Sequence, residues 1–131
     1  EPSRLPAFKK DYQREKSDEM RLAYSFALTL LGDRAFVDTI VLNLPSRTLG
    51  TRSRGYLLEM GSEVLPDLYP YLSDPDPEVR AALCDVIALI GDADAVGRLT
   101  PLINDPSPKV ADRANRAVEK LRRGQAARPA G

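Results

Sequence analysis

The chain has 131 residues, 43% hydrophobic and 29% charged, with a net charge of zero; that balance belongs to an ordinary globular domain and excludes a disordered or membrane-embedded chain. It holds no histidine, no tryptophan and one cysteine, so the commonest general base and metal ligand is missing and no internal disulfide can form. The charge is unevenly spread, with ten Lys/Arg against seven Asp/Glu over residues 1–54, two against ten over 55–108 and seven against two over 109–131, a polarity that steers partners by sign.

Residues 1–16 are expected to form an N-terminal capping segment, helical because Leu5, Phe8 and Tyr12 recur at helical spacing. A long helix follows, with Met20, Tyr24, Ala27, Leu28 and Leu31 on its core face. A shorter helix over 34–44 buries Val37, Ile40, Val41 and Leu44. The next long helix carries Leu49, Ser53, Tyr56, Leu57 and Met60, with Gly50 and Gly55 inside it, each costing about 1 kcal/mol relative to alanine. A short helix over 63–72 leads to the clearest long one, 77–90, with Val79, Leu83, Val86, Ile87 and Ile90 on one face. The last pair is 93–103, with Val96, Leu99, Leu102 and Ile103, and a long helix with Val110, Ala114, Ala117, Val118 and Leu121. From Arg122 the apolar stripe is lost, and 124–131 is expected to be a flexible tail.

These elements repeat. Leu30-Leu31-Gly32-Asp33, Glu59-Met60-Gly61-Ser62 and Leu89-Ile90-Gly91-Asp92 stand 29 and 30 residues apart, and Asp74-Pro75-Asp76-Pro77-Glu78-Val79 returns as Asp105-Pro106-Ser107-Pro108-Lys109-Val110 after 31. Two independent landmarks with one period mark a stacked array. The fold expected is all-α, an α-solenoid (α-α superhelix) of about four helical hairpins, with the repeats spanning 17–123. Asp33, Ser62 and Asp92 follow the breaking glycines as expected helix caps, and Pro77 and Pro108 start helices at the first turn.

The run Asp74-Pro75-Asp76-Pro77-Glu78-Val79-Arg80, then Ala81-Ala82-Leu83 and Ile90-Gly91-Asp92, resembles a HEAT repeat, and within that family the short HEAT-like subtype first noted in phycobilin lyases. Glu19-Met20-Arg21, Ala23, Ala27 and Leu31-Gly32-Asp33 match the same pattern, so the resemblance covers about residues 17–121. It implies a right-handed stack, first helices kinked at Pro66, Pro70 and Pro101, and a ladder between units made by the acids Asp74 and Asp105 and the bases Arg21 and Arg80. The second unit departs from it, with Leu44 in place of the aspartate and Gly50 in place of the arginine, and the last unit has Ala111 for the arginine.

By alignment, the side opposite the core stripes holds Leu22, Ser25, Phe26 and Thr29, then Thr51, Arg54, Gly55 and Leu58, then Ala81, Cys84, Asp85 and Ala88, then Asp112, Asn115, Arg116 and Glu119. This concave face is the expected partner surface, with Leu22, Phe26, Arg54, Leu58, Asp85 and Arg116 as its contact residues. The apolar Leu22 and Phe26 are read there as a partner site, or as a patch covered by residues 1–15 or by a further domain; both readings stay open.

No catalytic, cofactor-binding or metal site is expected. Cys84 has only the anionic Asp85 beside it, which disfavours a thiolate. Asp74, Asp76, Glu78, Asp92 and Asp94 lack the spacing of a calcium loop and suit helix starts. Arg47, Arg52 and Arg54 form a basic cluster, but with Asp85 and only Arg116 in the row of Arg54 a nucleic-acid partner ranks below a protein one.

The function expected is a non-catalytic protein-protein interaction module, a scaffold or adaptor, standing alone or as one domain of a larger protein. The alternatives are a bilin-handling lyase or lyase subunit, implied by the repeat subtype, and a nucleic-acid-binding HEAT-like protein. The apolar stretch from Leu83 to Gly91 is interrupted by Asp85 and too short to span a membrane. With no leader pattern in view, a cytoplasmic location is expected, for a chain whose first residue is glutamate rather than methionine.

Overall fold

The computed structural model describes residues 17–127, so the expected capping segment 1–16 and the tail 128–131 lie outside the described residues. The helices are α1 (Asp18–Leu30), α2 (Val37–Leu42), α3 (Gly50–Met60), α4 (Leu65–Leu68), α5 (Pro77–Ile90), α6 (Ala95–Leu99) and α7 (Pro108–Ala127). Short 3-10 turns at Arg34–Phe36, Gly61–Val64, Tyr69–Ser73 and Thr100–Asn104 complete the shorter helices, and no strand occurs among the described residues. The fold is all-α, as expected. Contacts divide the chain into two compact units, Glu1–Tyr56 and Leu57–Gly131, and the division falls within α3.

In the first unit α1 packs on the 34–36 turn and on α2. Val37, Ile40, Val41 and Leu44 are all buried, as their spacing predicts. The core face of α1 is turned from the one expected, however. Of the expected face only Leu28 is buried, Met20 is exposed and Tyr24, Ala27 and Leu31 are half-buried, while Leu22, Ser25 and Thr29 are buried. Two of these are polar and tolerate burial by bonding their own helix: Ser25 Oγ donates to the Arg21 carbonyl at 2.9 Å and Thr29 Oγ1 to the Ser25 carbonyl at 2.7 Å. The helix ends in a Schellman motif, with Asp33 N bonded to the Leu28 carbonyl and Gly32 at φ +106°.

In α3 Ser53 is fully buried, and its hydroxyl is the one buried side-chain polar atom among the described residues without a hydrogen-bond partner. Replacing it with alanine removes that desolvation cost and adds helix propensity. Ser53→Ala should therefore raise stability by about 1 kcal/mol, read as a higher denaturant midpoint.

The second unit contains two hairpins in successive periods. In each, the shorter helix changes from α to 3-10 at a proline, Pro70 or Pro101. Proline lacks the N–H that would continue the i to i−4 ladder, so the tighter turn takes over. Each turn ends on an aspartate in the same conformation, Asp74 at φ −59°, ψ 142° and Asp105 at φ −60°, ψ 142°. Asp74 Oδ2 accepts from Asp76 N and Asp105 Oδ1 from Ser107 N, both at 2.9 Å. Asp76 caps α5 by accepting from Glu78 N, with Pro77 in the first turn. The 31-residue sequence repeat is thus a repeat of backbone geometry.

The helix α5 packs on α7, on the 69–73 turn and on α6, and its buried face is wide: Val79, Ala81, Leu83, Cys84, Val86, Ile87 and Ala88 are all buried, while the stripe of Glu78, Asp85 and Leu89 stays at least half-exposed. Such a helix is covered on two flanks rather than one. In α7 the expected face, Val110, Ala114, Ala117, Val118 and Leu121, is buried throughout. That helix does not stop near Leu121 or at the expected boundary of 123, but continues through Gly124 to Ala127.

Two of the three caps expected after the glycines are corrected. Asp33 sits at the N-cap position of its turn but makes no side-chain cap bond, and Ser62 lies inside a 3-10 turn, whereas Asp92 Oδ1 accepts from Asp94 N in the turn that leads into α6. The following segments open as tight turns whose N–H groups find backbone carbonyls: Phe36 N bonds Asp33 O, Ala95 N bonds Asp92 O and Val96 N bonds Ala93 O. The three glycines picked out by alignment, Gly32, Gly61 and Gly91, are the three residues with positive φ among those described.

Candidate partner-binding surface

The predicted partner residues do not all reach the surface. Leu22 is fully buried and so is not a contact residue; its apolarity is explained by the core. Phe26 is half-buried and stacked on Tyr56, with ring centroids 4.3 Å apart and planes at 15°, a pairing that adds to packing. In α5, Ala81, Cys84 and Ala88 are buried as well. The alignment assumed that each long helix buries one stripe and exposes the other. In a stack, the second flank of an interior helix is covered by the next unit, here α7 on α5. Small side chains at 81, 84 and 88 suit that close approach.

Two of the four rows remain open. On α3, Thr51, Arg54, Gly55 and Leu58 are exposed, and on α7 so are Asp112, Asn115, Arg116 and Glu119. Arg54 is therefore accessible. Arg116 Nε lies 3.1 Å from Asp112 Oδ2 one turn earlier, an exposed pair with little energetic weight. Asp85 is only half-exposed and is paired with Arg113 of α7, so it serves the joint between the two helices. Of the basic cluster, Arg52 is paired with Glu19 at the start of α1, which leaves Arg47 and Arg54 as its open members.

Of the four ladder residues, the structure joins two directly. Arg80 Nε donates to Asp105 Oδ2 at 3.0 Å and its Nη2 to Asp105 Oδ1 at 2.9 Å, while Nη1 donates to the Asp74 carbonyl at 2.7 Å. The two side chains are only 15% and 8% exposed. Asp74 enters through its backbone carbonyl, because its carboxylate is already bonded to Asp76 N. The guanidinium holds the Asp105 carboxyl below its ordinary range, and the Ser107 N–H adds to this; Asp105 in turn raises Arg80. Arg21 stands half-buried on α1.

Cys84 is fully buried, and burial, then the charge of Asp85, pushes its thiol up to about 12. It should resist a maleimide or disulfide reagent in the native protein and release one equivalent on denaturation; rapid native labelling at neutral pH would contradict this placement. No group of three His, Cys, Asp or Glu side chains that could hold a metal ion occurs among the described residues. None of the described helices is long and apolar enough to cross a membrane.

Sequence reasoning missed the row of cations on α7. Lys109, Arg113, Arg116, Lys120 and Arg123 follow at steps of four and three, a spacing that places them on one helix face. Lys109 Nζ lies 2.6 Å from Glu78 Oε1, and Arg113 pairs with Asp85, so the first two members of the row tie α7 to α5. The signal was present in the sequence as periodicity of charge.

Comparison with known proteins adds one match. A family model described as HEAT repeats matches residues 65–130, the span of the two hairpins and the joint just described. No curated protein matches the chain.

Proposed function

The chain belongs to the HEAT repeat family, whose repeats generally mediate protein interactions, and on that premise we propose that it is a non-catalytic protein-binding module, an adaptor or scaffold. The observation that carries this reading is the open row on α7. Asp112, Asn115, Arg116 and Glu119 stay exposed along one side of a helix whose other side is anchored by Val110, Ala114, Ala117, Val118 and Leu121. A polar, charge-bearing ridge on a rigid support presents a surface at little ordering cost, as a docking face requires. Arg54 and Leu58 on α3 are exposed as well.

A photo-crosslinking residue at Asn115 should capture one defined protein from the native source, whereas the same residue at Pro66, on the shorter helices, should not. Arg116→Glu should lower recovery of that protein by about fivefold or more. Equal capture from both positions, or recovery indifferent to Arg116→Glu and Arg54→Glu alike, would remove the support for this face.

A further inference from the structure

The acid–base seam between α5 and α7 runs for two steps and then loses its acid. Glu78 and Asp85 lie on one stripe of α5 and hold Lys109 and Arg113. The next position on that stripe is Leu89, which is 47% exposed. The next free cation on α7 is Lys120, also exposed. Leu89 and Lys120 line one cleft of about 250 Å³ together with Gly91, Leu121, Gly124 and Gln125, and no carboxylate lines it. The cleft lies where α7 runs on past Leu121, the repeat equivalent of Ile90, and so projects beyond the end of α5. Arg122 and Arg123, next to Leu121 and Gly124 in the chain, are exposed, and the nearest acids in sequence to the lining, Glu119 and Asp92, stand outside it.

We propose that this cleft takes an acidic amphipathic helical segment of a protein partner, which sets a carboxylate on Lys120 and an apolar side chain against Leu89. The proposal rests on the protein-binding reading above and names the chemical class of partner. The partner's acid continues the series begun by Glu78 and Asp85, so the contact extends a seam the molecule already uses. An apolar side chain over Leu89 and the small Gly124 covers hydrophobic surface that the chain leaves to water. Both groups come from one turn of a helix with Glu and Leu at i and i+4. A nucleic acid fits less well. Lys109, Arg113 and Arg116 are engaged by Glu78, Asp85 and Asp112, and Leu89 would lie bare against phosphates.

The test is a titration of the isotope-labelled full chain with a designed helical peptide carrying Glu and Leu at i and i+4, followed by amide chemical shifts. Shifts should be confined to residues 88–91 and 120–125. Binding should weaken about tenfold when the peptide's Glu becomes Gln, and about tenfold in Lys120→Glu or Leu89→Ser. A peptide with Lys in place of Glu should regain affinity for Lys120→Glu, which no loss of folding can imitate. Absence of shifts at about 1 mM peptide, or identical binding by Lys120→Glu, overturns the proposal. Shifts centred on Arg54 or Asn115 overturn the cleft while leaving the protein-binding reading in place. Displacement of the peptide by a DNA duplex, with steep salt dependence, makes the occupant a nucleic acid and overturns it too.

Discussion

Arg80→Ala should lower the stability of the Leu57–Gly131 unit by about 2–4 kcal/mol, the range for breaking a mostly buried, hydrogen-bonded ion pair from one side. The loss is larger than the net worth of the pair, because the Asp105 side chain is left 8% exposed with a charge and no counter-ion. The Asp74 and Pro75 carbonyls also lose the donor they share, Nη1 of Arg80. Arg80→Lys should recover little of this, since an ammonium cannot serve both carboxylate oxygens and a carbonyl in one plane. Urea denaturation of Arg80→Ala, of Asp105→Ala and of the double variant gives the coupling energy. A coupling below about 0.5 kcal/mol would mean that the two side chains act independently.

The same pair gives a pH dependence with a fixed sign. Arg80 holds the Asp105 carboxyl below its ordinary range, so the folded state binds that proton less readily than the unfolded chain, where an aspartate titrates near about 3.9. The contribution is therefore fully present above the unfolded value and is lost as pH falls through the lower, folded one. Arg80 is shifted upward, so its share is lost only in strong alkali. Asp105→Asn should start less stable at neutral pH and show a flatter decline below about pH 4.

How much of this was readable beforehand follows from what kind of signal each residue carries. The period, the positive-φ glycines and the buried stripes of 37–44, 77–90 and 110–121 were legible, since each depends on local geometry or on apolar spacing. Arg80 and Asp105 were legible only through the family resemblance; nothing in the spacing of an arginine and an aspartate 25 residues apart announces a bidentate bond. The burial of Leu22, Ala81, Cys84 and Ala88 was not legible from a single helix. Amphipathic periodicity reports one buried face, and a helix covered on both flanks shows its second face only as small residues and back-bonded hydroxyls. The open cleft beside Lys120 depends on how far α7 overruns α5, and the apolar pattern had already faded there.

The two glycines of α3 look alike in the sequence and should respond in opposite directions. Gly55→Ala should stabilise by about 1 kcal/mol: the position is exposed, its φ is not positive, and an added methyl group meets nothing within 4 Å. Gly50→Ala should destabilise by about 1–3 kcal/mol despite the same gain in helix propensity. A Cβ at Gly50 would stand 2.5 Å from the Leu44 carbonyl oxygen, with backbone rather than a movable side chain in the way. Leu44 and Gly50 are the two positions at which the second repeat departs from the family pattern, and they touch each other. One period later the equivalent residues are Asp74 and Arg80, and there the arginine donates to the aspartate's carbonyl at 2.7 Å. The same junction is thus made in one repeat by a guanidinium reaching a carbonyl, and in the other by backbone drawn up against it. Gly50→Arg, which restores the family residue, should for this reason destabilise more than Gly50→Ala. Equal stability of Gly50→Ala and Gly55→Ala in thermal and urea unfolding would show that the close approach to Leu44 carries no weight.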